Sequence, residues 1–122
     1  MLLDGARNLR VGTTRAGEGN LFAENRAVPS RPTFAGTGIR AQGDSTGTVV
    51  EGNTFLGNNY GFGFVAARGL ALRSNFFARS TIAGVHVEGN CTGSTQAGNT
   101  FATTLADRNR ANVVRVRGAK GA

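Results

Sequence analysis

The sequence predicts an all-β solenoid, a single-stranded parallel β-helix of about four to five coils. One short phrase occurs four times, as Gly19-Asn20-Leu21-Phe22, Gly52-Asn53-Thr54-Phe55, Ser74-Asn75-Phe76-Phe77 and Gly98-Asn99-Thr100-Phe101, with its asparagines 33, 22 and 24 residues apart. A second mark, glycine followed by an apolar residue, recurs at Gly38-Ile39, Gly61-Phe62 and Gly84-Val85 at intervals of 23. The third observation is a period of two in the intervening segments, which places alternate side chains on opposite faces of a strand. A repeat of this length is one supersecondary unit that buries its apolar face only by stacking on its neighbours.

The coils follow in order. Leu70-Ala71-Leu72-Arg73, Gly84-Val85-His86-Val87-Glu88 and Val113-Val114-Arg115-Val116-Arg117 alternate as short strands. Gly, Asn and Thr interrupt every window long enough for an amphipathic helix. Equal spacing then sets equivalent residues of successive coils side by side, about 4.8 Å apart, as parallel ladders. Asn20, Asn53, Asn75 and Asn99 form a corner column, since asparagine tolerates a left-handed turn and stacked amides can bond from coil to coil. This is a structural role and not a ligand role. Phe22, Phe55, Phe77 and Phe101, two residues on, stack inside the tube, with Val50, Leu72, Val85 and Val87 completing the lining. Residues 1–107 make up the coils. Residues 26–37, with Pro29 and Pro32, lengthen one coil and are expected to protrude as a loop suited to recognition. Gln96 stands where Val50 and Leu72 stand in earlier coils, a departure that loosens the last coil. Residues 108–122 form a basic C-terminal strand or tail.

The stretches Gly5-Ala6-Arg7-Asn8-Leu9-Arg10-Val11-Gly12-Thr13-Thr14 and Ala16-Gly17-Glu18-Gly19-Asn20, continued by Gly38-Ile39 and Ser45 to Asn53, resemble the repeat of bacterial right-handed parallel β-helix proteins. These belong to the pectin-lyase-like superfamily, which includes carbohydrate-binding proteins and sugar hydrolases. The resemblance covers most of residues 3–104 and implies a right-handed coil. It describes corners rather than an active site, so it is specific for fold and not for function.

Composition narrows the chemistry. Lys and Arg number 14 against 7 acids, a net charge of +7, which suits an anionic partner such as an acidic polysaccharide, or a partner protein. The arginines lack the aromatic interleaving of a single-strand nucleic-acid platform, so nucleic acid is not the expected partner. The lone Cys91 excludes an internal disulfide framework and sets no redox compartment. The start Met1-Leu2-Leu3-Asp4-Gly5 does not read as a signal peptide, and no apolar run is long enough for a membrane helix. An extracellular or cell-surface location is expected only if the chain belongs to a longer exported protein.

Enzymes of the resembling superfamily imply clustered aspartates, or carboxylates holding calcium beside an Arg or Lys base. Asp4, Asp44 and Asp107 fall far apart in the repeat frame, and no catalytic set, metal site or cofactor is expected. His86 with Glu88 is a conceivable base and orienting carboxylate, set against an ordinary exposed ladder position. Gly61-Phe62-Gly63-Phe64-Val65-Ala66 matches a dinucleotide glycine pattern, but no helix pattern follows it. Asn90-Cys91-Thr92 is a formal glycosylation sequon whose meaning depends on a secretory setting.

Register supplies the candidate surface. Counting from the glycine mark stacks Arg40, Gly63 and His86 as a shallow basic strip, with Glu88 alongside, where a sugar ring or a carboxylate could meet the backbone. Counting back from the asparagines stacks Glu51 beside Arg73 as an exposed ion pair. The expected function is a non-catalytic structural or carbohydrate-binding segment of a larger bacterial surface or exported protein, with end-to-end association through uncapped coils. The alternative is a fragment of a polysaccharide lyase, hydrolase or epimerase acting on acidic polysaccharide, its catalytic coils lying outside this chain.

Overall fold

A computed structural model describes residues 1–26 and 36–122. Its strands succeed one another in levels. The first level holds β1 (Leu2–Asp4), β2 (Arg10–Val11) and β3 (Leu21–Ala23), and the second β4 (Thr37–Asp44), β5 (Val49–Glu51) and β6 (Thr54–Leu56). The third holds β7 (Tyr60–Arg68), β8 (Ala71–Arg73) and β9 (Phe76–Ala78). Above it lie β10 (Ala83–Glu88), β11 (Asn90–Cys91), β12 (Thr95–Ala97) and β13 (Thr100–Phe101), then β14 (Val113–Arg115) and β15 (Lys120–Gly121). Among the described residues there is no helix.

All pairings are parallel. Three long-axis sheets run β1-β4-β7-β10-β14, β2-β5-β8-β12 and β3-β6-β9-β13, and β11 pairs with β15 as a fourth, two-stranded sheet. This is a parallel β-solenoid, and from β1 to β10 the chain makes about three turns. Most of the loop expected at 26–37 lies outside the described residues.

Side-chain alternation decides what fills the tube. Ile39, Val50, Phe55, Phe62, Phe64, Leu72, Phe77, Val85 and Val87 are fully buried. Phe22, Phe55, Phe77 and Phe101 stack with centroid separations of 5.2, 4.7 and 5.3 Å and near-parallel planes. The two end rings are half-buried, because each has a neighbour on one side only among its stacked phenylalanines.

The asparagine column bonds as expected but turns differently. Nδ2 of Asn20, Asn53 and Asn75 donates to Oδ1 of Asn53, Asn75 and Asn99 respectively, at 3.1 to 3.2 Å, and the same oxygens accept the backbone N–H of the preceding member. The left-handed residue is not the asparagine. It is the residue before it: Gly52 (φ 70°), Ser74 (φ 56°) and Gly98 (φ 63°). That conformation favours glycine at Gly52 and Gly98, whereas Gly19 is not left-handed and is glycine because a Cβ there would collide with the Gly52 carbonyl.

A second polar column stands at the other end of β3, β6 and β9. Asn25 donates through its backbone N–H and Nδ2 to Asn58 Oδ1, and Ser80 donates through its backbone N–H to Asn109 Oδ1. Glu24, Gly57 and Arg79, one residue earlier, are again left-handed. Gln96 pairs with Leu72 and is half-buried, and its Nε2 donates to the Ala122 carbonyl at 3.2 Å. The amide that departs from the apolar pattern therefore has a partner in the Ala122 carbonyl.

Candidate functional site

The strip expected on the first sheet is in register: Arg40 lies beside Gly63 and Gly63 beside His86, with Glu88 beside Val65. Its exposure differs from the expectation. Gly63 is buried and His86 is only 7% exposed, while Arg40 and Glu88 are half-buried. The His86 ring meets Tyr60 edge-on at 5.3 Å. Burial pushes the His86 pKa below its ordinary value, with the Glu88 carboxylate opposing that shift. The strip therefore offers little open surface for a sugar ring.

Glu51 and Arg73 also share a face, as their register requires. They are not the freely exposed pair expected. Arg73 Nε donates to Glu51 Oε2 at 2.8 Å, Arg10 Nη1 contacts Glu51 Oε1 from the coil below, and the Glu51 side chain is 8% exposed between them. The Arg73 hydrogen bond holds the Glu51 carboxyl below the usual carboxylate range, against the opposing effect of burial, with further help from Arg10. Two cations sandwich one anion, so the carboxylate keeps its charge while losing its water.

A different feature makes the open surface. Between β5 and β6 the corner is two residues long, and between β8 and β9 it is also two, but between β2 and β3 it runs from Gly12 to Asn20. This excursion leaves and rejoins the tube through glycines. A Cβ on Gly12 (φ 80°) would collide with Asn53 Oδ1 and the Glu51 carbonyl, and one on Gly19 with the Gly52 carbonyl. Pinned at both ends, the loop walls a hollow of about 670 Å³ with Thr13, Thr14 and Arg15 on one side and Thr54 and Ser74 across from them. A smaller hollow of about 320 Å³ adjoins it, lined by Arg10, Arg15, Glu18 and Glu51.

The hollow opens beside the outer face of the third sheet. There Leu21, Thr54, Phe76 and Thr100 are successive neighbours in register. Phe76 is 38% exposed and Leu21 63% exposed. An aromatic ring flanked by two threonines on a flat sheet thus lies next to a polar hollow carrying an arginine. Sequence reading assigned Phe77 inward and passed over Phe76, although alternation itself placed that ring outside. The long corner was also legible, as the surplus between Val11 and Asn20.

Among the described residues no group of three or more His, Cys, Asp and Glu side chains is placed to hold a metal ion, and no helix is long and apolar enough to cross a membrane. Cys91 is buried. Comparisons with protein-family models, with curated proteins and with solved structures give no match.

Proposed function

We propose that this chain is a non-catalytic, carbohydrate-binding β-solenoid segment of a larger bacterial surface or exported protein, coiled to the right in the manner of the pectin-lyase-like superfamily. Right-handed crossovers are the strong preference for parallel strands joined through a connection, which supports that hand. The observation that carries the binding reading is the open Phe76 ring between Thr54 and Thr100, beside the hollow that holds Arg15. A pyranose presents a C–H face to an aromatic ring and hydroxyls at its rim. Phe76 suits the first and the threonines the second, while the Arg15 fork suits a uronate carboxylate. The net charge of +7 favours an acidic polysaccharide over a neutral one.

Titration with oligogalacturonate and with a neutral glucan oligomer tests this, read by calorimetry on the wild type, Phe76→Ala and Arg15→Gln. The acidic oligomer should bind more tightly. Phe76→Ala should lose affinity for both sugars and Arg15→Gln only for the acidic one. Unchanged affinity in Phe76→Ala would overturn the assignment.

A second reading is favoured by one observation, that Glu18 and Glu51 line the same small hollow. Paired carboxylates beside a sugar surface are the parts of a glycosidase. Glu51, held ionised by Arg73 and Arg10, fits a base or nucleophile and not an acid. Release of reducing ends from the acidic oligomer, abolished in Glu18→Gln, would favour catalysis by these two carboxylates over the binding segment. Such an enzyme differs from the fragment expected from sequence, whose catalytic coils lie outside this chain.

A further inference from the structure

A basic hollow at the other end of the third sheet's strands from the Arg15 groove is not used by that reading. Its volume is about 570 Å³, and Arg79, Arg108 and Arg110 line it together with Thr81 and Leu105. The segment that supplies it follows β13 and is fixed on the second polar column. Arg79 N–H donates to the Asp107 carbonyl at 2.8 Å, Ser80 N–H to Asn109 Oδ1 at 3.0 Å, and Arg110 N–H to the Ser80 carbonyl at 2.9 Å. Asn109 Nδ2 reaches inward to the Phe77 carbonyl at 3.1 Å, and the residue is almost fully buried. Its neighbours on either side, Arg108 and Arg110, are exposed. A buried anchor between them thus holds two guanidinium side chains at one rim.

The charge is not balanced within the hollow. Arg79 is paired with Asp107, at 2.8 Å from both Nε and Nη2 to Oδ1, and Thr104 Oγ1 donates to the other carboxylate oxygen at 3.3 Å. Neither Arg108 nor Arg110 has an ion pair among the described residues. Two surplus positive charges therefore meet at a concave surface on a backbone that cannot easily spread them apart. Planar guanidinium forks match the oxygen spacing of phosphate and bind it bidentately. A dianion neutralises both charges, whereas a single carboxylate neutralises one.

We infer that this hollow binds a phosphate dianion, free or as a monoester on a sugar, with Arg108 and Arg110 as its two forks. The inference does not depend on the Arg15 groove. Amide shifts of Thr81, Arg108, Asn109 and Arg110 in a nitrogen-proton correlation spectrum, followed during titration with inorganic phosphate, glucose 6-phosphate and glucuronate, test it. Both phosphates should move these four signals and glucuronate should bind more weakly. Tighter binding of glucose 6-phosphate than of inorganic phosphate assigns the hollow to the ester, and equal binding assigns it to phosphate alone. Arg108→Gln and Arg110→Gln should each weaken phosphate binding about tenfold or more, the loss of one charge-assisted hydrogen-bonded contact, without altering thermal melting, since both side chains are exposed. Silent amides, equal affinity for glucuronate, or unchanged phosphate binding in the two variants would overturn the inference.

Discussion

Replacing Phe77 by alanine removes the ring that stands between Phe55 at 4.7 Å and Phe101 at 5.3 Å. The side chain is fully buried. A phenylalanine of ~200 Å² taken from water at ~25 cal/mol per Å² contributes about 5 kcal/mol, an upper bound because the unfolded chain is itself partly compact. Large-to-small changes at such sites cost about 3–5 kcal/mol. With an unfolding entropy of ~2.1 cal/mol/K per residue over 122 residues, that loss lowers the melting temperature by about 12–20 °C. The adjacent Phe76 supplies the control, since it has the same residue type, strand and solvent history but points outward. Phe76→Ala should shift melting by no more than a few degrees, within about 0.5–1 kcal/mol. Circular dichroism melts of the two variants decide the matter. Equal shifts, or a larger one for Phe76→Ala, would mean that the strand is turned by one residue and that the whole inner and outer assignment is wrong.

Two further outcomes are expected. Ser80 sits in the second column between Asn58 and Asn109, and its hydroxyl has no hydrogen-bond partner among the described residues. Ser80→Asn should supply the missing amide, by analogy with Asn58 Nδ2 on the Phe22 carbonyl and Asn109 Nδ2 on the Phe77 carbonyl, and raise stability by about 1 kcal/mol; a lower melting temperature would show that the column has no room there. Glu51 has its folded pKa lowered, by Arg73 first and then by Arg10 against burial, so its contribution is complete above the ordinary carboxylate pKa and is lost as pH falls through the folded value. Glu51→Gln should therefore melt below the wild type at neutral pH and converge with it in acid; a constant difference at all pH values would refute the assigned charge state.

Legibility in the sequence followed periodicity. The Asn20 to Asn99 column, the phenylalanine stack and the pairings of Glu51 with Arg73 and Arg40 with Gly63 all rest on repeats at fixed offsets, and registers of that kind transfer directly to three dimensions. Exposure did not follow. Alternation says that His86 points away from Val85 and Val87, but the space an outward side chain meets depends on neighbours such as Tyr60, whose position no two-residue period encodes. Glu51 is enclosed for the same reason, by arginines contributed from coils 41 residues before and 22 after it. The second column was open to reading, since Asn25 and Asn58 are separated by the same 33 residues as Asn20 and Asn53. It was hidden because Ser80 interrupts it and Asn109 lies among arginines that read as a tail.

The amide ladder runs one way. The bonds from Asn20, Asn53 and Asn75 to the next asparagine's Oδ1 all point toward the higher-numbered coil, while Nδ2 of Asn53, Asn75 and Asn99 also reaches back to the Val11, Val50 and Leu72 carbonyls. Such a file of aligned dipoles gives the solenoid a direction, as a row of bar magnets has one. On the Asn20 side it presents an amide oxygen, and on the Asn99 side a backbone donor. Within this column a further coil of the same sense would prolong the file, whereas a coil of opposite sense would interrupt it.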